Sequence, residues 1–244
     1  MNAGNSTSAT TPSTRTAGLD HLVILAASLE QGVAWCEATL GVTPGPGGEH
    51  PLMGTHNRLL NIATPAFPNA YLEIIAINPI ADSDQKTQGS CWFDMENPDL
   101  IVRVACAGPH LIHWVARVPD VHAAVATLAA QGIDRGDVIQ ASRPTPTGLL
   151  QWQITLRPDG QRLFDGCLPT LIQWGDVHPA ASMPANGVTL EALSLQHPDA
   201  ATLRTACESL ALKQPTVTSG PPRLSARLHT PKGLIELHSA SYTL

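Results

Sequence analysis

The sequence predicts an α+β fold made of paired βαβββ modules with a third, degenerate module. Three observations carry that prediction. A short apolar strand followed by a capped helix occurs three times, beginning near Leu19, Leu111 and Val188. His21 lies seven residues before the helix cap Ser28, and His113 lies seven before the cap Asp120; the same count back from Asp199 lands on Ala192. The last strands of the copies line up as Tyr71-Leu72-Glu73-Ile74, Leu171-Ile172-Gln173-Trp174 and Ile235-Glu236-Leu237. One such unit cannot bury its sheet face alone, so two must pack together.

Taken in order, residues 1–17 are rich in Ser, Thr and Ala without an apolar run, and read as a disordered tail. The first module and its connector span 18–100. Its opening strand is Leu19 to Ala26. Ser28 with Gln31 forms a capping-box pattern, Leu29, Val33, Cys36 and Leu40 fall at helical spacing, and Gly41 stops the helix. Thr43 to His50 is a Pro/Gly-rich loop or edge strand. Asn57 to Ala63 and Ala70 to Asn78 are strands, the second rich in branched residues. Asp82 to Asp99 is a polar connector with a short helix around Cys91 to Glu96. The second module spans 101–177: strand Leu111 to Val118, helix capped by Asp120 and stopped by Gly132, then strands at Asp137 to Ala141, Leu149 to Arg157 and Thr170 to Trp174. After a Pro/Ala-rich link, the third module spans 186–244. It has a strand at Val188 to Gln196, a helix opened by Pro198 and Asp199, and strands at 216–218, 224–229 and 234–238.

With 244 residues, 43% of them hydrophobic, the chain is long enough for one large core or two small ones. Charged residues make up 14% and the formal net charge is -6, with no basic cluster, which argues against nucleic acid as a partner. No apolar run approaches the roughly 20 residues that span a bilayer. The five cysteines, Cys36, Cys91, Cys106, Cys167 and Cys207, are odd in number and widely spaced, so they read as reduced thiols of a cytoplasmic protein.

The chemistry-bearing residues are those the repeat superposes. His21 and His113 sit on equivalent first strands, and Glu73 and Gln173 on equivalent last strands. Alternation in 71–77 puts Tyr71, Glu73, Ile75 and Ile77 on one face. A carboxylate on a half-enclosed sheet face is costly unless it pairs with a cation such as Arg58 or Arg103, or coordinates a metal. Two imidazoles, a carboxylate and an amide oxygen would suit a divalent Zn, Ni, Co, Mn or Fe ion with positions left for water or substrate. The plainer readings are core histidines bonded to backbone and a glutamine that satisfies backbone groups. His56, Asn57 and Arg58 are expected near the mouth of a pocket and Arg143 in its wall, as contacts for a small-molecule ligand. The third copy, with Ala192 in the first position, is expected to hold no metal and to serve as a cap or a homodimer surface.

The stretches Leu19-Asp20-His21-Leu22-Val23, Gly54-Thr55-His56-Asn57-Arg58-Leu59-Leu60, Tyr71-Leu72-Glu73 and Leu168-Pro169-Thr170-Leu171-Ile172-Gln173-Trp174 resemble the vicinal oxygen chelate superfamily, the glyoxalase and extradiol-dioxygenase fold, and within it the glyoxalase-like domain proteins. The resemblance covers residues 19–175. It implies a cupped sheet of paired modules with a divalent metal held by first and last strands, onto which His21, Glu73, His113 and Gln173 fall. It also implies a metal-dependent lyase, isomerase or dioxygenase acting on a substrate with neighbouring oxygens. Glutamate is usual in glyoxalase I-like enzymes where Gln173 stands, and an amide is no base near neutral pH, which leaves Glu73 as the candidate catalytic carboxylate. The alternative is a metal-free small-molecule-binding protein of the same fold.

Overall fold

The computed structural model describes residues 16–81, 91–145 and 148–239. The expected tail over 1–17 therefore lies outside the described residues save for Thr16 and Ala17, and so does most of the polar start of the connector, 82–90.

The first module runs β1 (Gly18–Leu25), α1 (Leu29–Leu40), β2 (Glu49–His50), β3 (Thr55–Asn61) and β4 (Tyr71–Ile77). Ser28 accepts the Gln31 N–H, the Gln31 side chain accepts the Ala27 N–H, and Gly41 closes the helix at a φ of 81°. The second module runs β5 (His110–Arg117), α3 (Val121–Ala129), β6 (Asp137–Thr145), β7 (Gly148–Leu156) and β8 (Thr170–Trp174), with α2 (Pro98–Ala107) preceding it. Helix α2 was not expected from the sequence. Its signals are present nonetheless: Asn97 caps it, Pro98 occupies its first turn, and Leu100 and Val104 are its buried face.

The two modules form one eight-stranded sheet, ordered β2-β3-β4-β1-β5-β8-β7-β6. Strands β1 and β5 meet antiparallel at the centre, with His21 opposite Val115, Leu22 opposite Trp114 and Val23 opposite His113. That register makes His21 and His113 counterparts across a pseudo-two-fold passing between Leu22 and Trp114. Each first strand pairs parallel with the last strand of its own module: Val23 with Glu73, and Val115 with Thr170. The counterpart of Glu73 is therefore Thr170, not Gln173.

The sheet has two packed faces. Leu22, Ile24, Leu72, Ile74, Trp114 and Leu171 belong to the larger core, under α1 and α3. Val23, Ile75, Val115 and Ile172 face the other way, where Trp92, Phe93, Met95, Leu100 and Val104 of the connector and α2 cover part of the inner face.

The third module keeps its element order, β9 (Thr189–His197), α4 (Ala200–Ser209), β10 (Thr216–Ser219), β11 (Arg223–Thr230) and β12 (Gly233–His238), but its pairing differs. Its sheet is ordered β10-β9-β11-β12, so β12 is an edge strand that does not reach β9. The alignment of Glu236 with Glu73 fails for that reason, and Glu236 is exposed. Leu193, Leu195, Leu224, Ala226 and Leu228 of this sheet join the larger core with Leu22 and Trp114. The sheet of the third module thus packs against the first two modules within the chain.

Candidate functional site

At the inner face of the first module, three ionisable side chains are in contact although each is almost fully buried. His21 Nδ1 is 2.8 Å from Asp20 Oδ1, and His21 Nε2 is 3.4 Å from Glu73 Oε2. Ionised carboxylates only accept, so an imidazole between two of them donates from both nitrogens as the imidazolium. Burial opposes that charge, but the hydrogen bonds to Asp20 and Glu73 and their charges outweigh it and raise His21 to about 9. Burial likewise opposes the Glu73 carboxylate. The His21 hydrogen bond and charge, the charge of His50 and the Asn57 hydrogen bond prevail and bring it to about 2. The Tyr71 ring stacks on His21 with centroids 4.6 Å apart, an arrangement that favours the cation.

A bulge explains how adjacent residues Asp20 and His21 reach one cluster. Leu19 pairs with Ala116 and His21 with Val115, so Asp20 is the extra residue of β1 and is re-aimed out of the alternation. Its Oδ2 accepts from Trp174 Nε1 at 2.9 Å and from His178 Nε2 at 3.0 Å, and Arg117 NH1 lies at 3.9 Å. The Ala180 N–H donates to His178 Nδ1, which fixes the tautomer with its proton on Nε2. Burial pushes the Asp20 carboxyl up, yet its bonds and charge interactions with His178 and His21 hold it well below the usual carboxylate range.

On the other side, Asn57 Nδ2 donates to Glu73 Oε1 at 2.6 Å while Asn57 Oδ1 accepts the Gly48 N–H at 2.8 Å, so the amide orientation is set by both ends. Asn57 Nδ2 also lies 3.4 Å from His50 Nε2, and His50 Nδ1 is 3.0 Å from Thr55 Oγ1. Burial, against the pull of Glu73, takes His50 down to about 4.

The mirror-image half is built differently. His113 Nε2 accepts the Thr170 N–H at 3.1 Å and Nδ1 is 3.1 Å from the Gly166 carbonyl, so His113 is the neutral Nδ1–H tautomer. Burial, then the positive charges of Arg135 and Arg162, hold it well below its ordinary value. The buried Arg135 guanidinium bonds Thr170 Oγ1 and donates from Nε to the Pro169 carbonyl at 2.7 Å. Gln173 faces away from the cluster, its Oε1 accepting the Val121 N–H at 2.9 Å at the start of α3.

Of the expected quartet, the structure therefore brings together His21 and Glu73. His113 and Gln173 make the backbone contacts that the plainer sequence reading allowed. Arg58 and Arg103 are not among the partners of Glu73. Of the expected ligand contacts, Asn57 faces the site, whereas His56 and Arg58 lie on the other face of β3 within electrostatic reach of Glu30 of α1. Arg143 lines the cavity wall. The sequence reading missed Asp20, whose role depends on the bulge, and His178 and Trp174, which arrive from the end of the second module.

Glu73, His21, Asn57 and Tyr71 line a small pocket of about 40 Å³, with His50, Trp92, Arg143, Trp152 and Ile154 in its wall. Those last five residues also line a neighbouring cavity of about 620 Å³, a size suited to a small molecule.

The glyoxalase-like domain family model matches residues 19–211. The chain belongs to the glyoxalase-like domain family. The match runs past the second module through β9 and α4. Among solved structures, a hypothetical protein from Staphylococcus aureus has a TM-score of 0.56 at 14% identity, over 91% of this chain and 85% of that one. That coverage shows the fold to be shared across most of the glyoxalase-like chain. Methylmalonyl-CoA epimerase from Mycobacterium tuberculosis has a TM-score of 0.37 at 19% identity, over 69% of this chain and 92% of that one. Methylmalonyl-CoA epimerase from Streptomyces coelicolor, in complex with 2-nitronate-propionyl-CoA, has a TM-score of 0.39 at 16% identity, over 63% and 90%. No curated protein matches the chain. Among the described residues of this glyoxalase-like protein, no helix is long and apolar enough to cross a membrane, and none of the five cysteines forms a disulfide.

The divalent metal implied by the resemblance to the vicinal oxygen chelate superfamily does not fit the donor set of this chain. His113 Nε2 already accepts a backbone N–H, Thr170 stands where the second carboxylate would, and the Arg135 cation binds its hydroxyl. Among the described residues, no three His, Cys, Asp or Glu side chains are grouped to hold an ion.

Proposed function

We propose that this glyoxalase-like protein is an enzyme that moves a proton on a small molecule bearing neighbouring oxygens, with Glu73 as base and the His21 imidazolium as the group that stabilises the developing oxyanion. The observation that carries the reading is a buried carboxylate 3.4 Å from a buried imidazolium in the lining of a pocket beside a ligand-sized cavity. That distance is loose for a hydrogen bond. A substrate carbonyl oxygen that takes the His21 Nε2–H releases Glu73 from its partner and lets its basicity rise. Glu73 then accepts the proton from the adjacent carbon, the C–H electron pair forms the C=C bond while the carbonyl π pair moves onto oxygen as an enolate, and His21 holds that oxygen by its N–H until the proton returns. Asp20, through His21 Nδ1, keeps the ring protonated and aimed.

The test is solvent-deuterium exchange, followed by proton NMR, into the α-positions of 2-oxo acids, hydroxyketones and β-oxo acids. Exchange by the wild type that is lost in Glu73→Gln is expected. Compounds that bind without exchanging would replace this reading with the binding-protein one. One observation favours that second reading: both His21 nitrogens and Glu73 Oε1 already have partners, as in a preformed binding floor.

The donor set also sets an expectation for metal removal. A chelator should leave the melting temperature unchanged, and the purified protein should carry no more metal than the His21→Ala/His113→Ala variant. Stoichiometric metal in the wild type that the variant lacks would contradict it.

A further inference from the structure

We propose that the ligand is an amphiphilic oxyanion, a carboxylate or phosphate on a flat apolar body, and that Arg143 is its anion partner; this rests on the reading of the cavity as a substrate site. Arg143 sits on edge strand β6, half-buried, and its side chain makes no hydrogen bond or ion pair among the described residues; its NH1 is buried without a partner. Four other arginines of the chain are engaged: Arg117 with Thr16 and Pro68 carbonyls, Arg135 with Pro169 and Thr170, Arg157 with Asp159, and Arg162 with Asp94 and Ile112. A buried, unpaired guanidinium nitrogen is costly, and an incoming oxyanion relieves that cost with two matched acceptors.

The loop opposite is shaped around this side chain. A Cβ at Gly48 would stand 1.7 Å from Arg143 NH1 and 2.7 Å from its Cζ, so the absence of a side chain at Gly48 is what admits the guanidinium. Arg143 also stands where the cavity of about 620 Å³ meets the small pocket holding Glu73. The shared wall between them is apolar and aromatic, with Trp92, Trp152 and Ile154. Trp92 is 8% exposed and its Nε1 donor is buried and unpaired, a second donor without an acceptor in the same wall. The floor carries the Glu73 carboxylate, which repels an anion, and the His21 N–H, which attracts a neutral carbonyl oxygen. Charge thus fixes the ligand's direction: oxyanion at Arg143, carbonyl at the floor. The floor pocket of about 40 Å³ admits two or three heavy atoms, enough for a carbonyl group and its neighbouring carbon.

Isothermal titration of the full chain with phenylacetate, phenyl phosphate and uncharged phenylacetamide tests this. The anions should bind at least about tenfold more tightly than the amide, and the tighter of the two identifies the oxyanion. Arg143→Gln should erase the preference, Arg143→Lys should keep part of it, and Gly48→Ala should weaken anion binding with the charge still present. Amide bound as well as the anions, an unchanged preference in Arg143→Gln, or no anion binding at millimolar concentration would overturn the assignment. Glu73→Gln should keep the preference. Preference without deuterium exchange would therefore remove the proton-transfer reading and leave Arg143 assigned, and exchange without preference would do the reverse.

Discussion

Replacing Asp20 by Asn is expected to cost about 3–5 kcal/mol of stability, a drop in melting temperature on the order of 10 °C, measured by thermal and urea denaturation. The carboxylate accepts from His21 Nδ1, Trp174 Nε1 and His178 Nε2, and it is fully buried. An amide of the same shape has one acceptor oxygen and presents N–H donors on its other end. Turned one way, its N–H₂ meets the Trp174 and His178 donors; turned the other, it meets His21 Nδ1, which must give up its proton to accept, so the His21 imidazolium and one of its two counter-charges are lost together. The pH dependence separates this cause from lost packing. The folded-state pKa of Glu73 is lowered to about 2 and that of Asp20 is also lowered, so their stabilisation is present above the ordinary carboxylate range and lost as pH falls through the folded values. His21 is raised to about 9, so its contribution is full below about 6.5, the unfolded value, and is lost as pH rises through 9. Wild-type stability from this cluster is therefore greatest between about pH 4.5 and 6.5. In Asp20→Asn the fall on the alkaline side should shrink. An Asp20→Asn protein as stable as the wild type would contradict the network.

Glu73→Gln is expected to reduce deuterium exchange by about 10²- to 10⁴-fold while the fold persists. The amide oxygen can still accept from Asn57 Nδ2, which now bonds Glu73 at 2.6 Å. The amide N–H₂ then faces His21 Nε2, which must become an acceptor, so the ring falls to the neutral Nδ1–H tautomer. The substitution thus removes the base and the oxyanion donor together. Exchange that survives it would show that another group carries the proton.

The sequence disclosed the repeat because caps and histidines carry it locally. Ser28 and Asp120 cap their helices, and the central ladder confirms His21 and His113 as counterparts. It disclosed half of the site for the same reason, since β4 alternates cleanly and Glu73 faces inward beside His21. The other half was misaligned. Leu171-Ile172-Gln173-Trp174 imitates Tyr71-Leu72-Glu73-Ile74 in pattern, but hydrogen-bond register, not pattern, pairs Thr170 with Val115. Asp20 was hidden by a bulge that local alternation does not show. His178 was hidden by distance, being 158 positions from the carboxylate it bonds. In the third module the element order was legible but the strand pairing was not, because β9 pairs with β10 and β11 rather than with β12.

The most direct test of the one-sided site is a nitrogen-15 NMR titration of labelled histidines, with His21 and His113 assigned by substitution. His21 should carry protons on both ring nitrogens at pH 7 and titrate near 9, while His113 stays a single neutral Nδ1–H tautomer through the ordinary histidine range. A neutral His21 at pH 7, or a His113 that gains a proton near the ordinary histidine value, would contradict a site built from the first module alone.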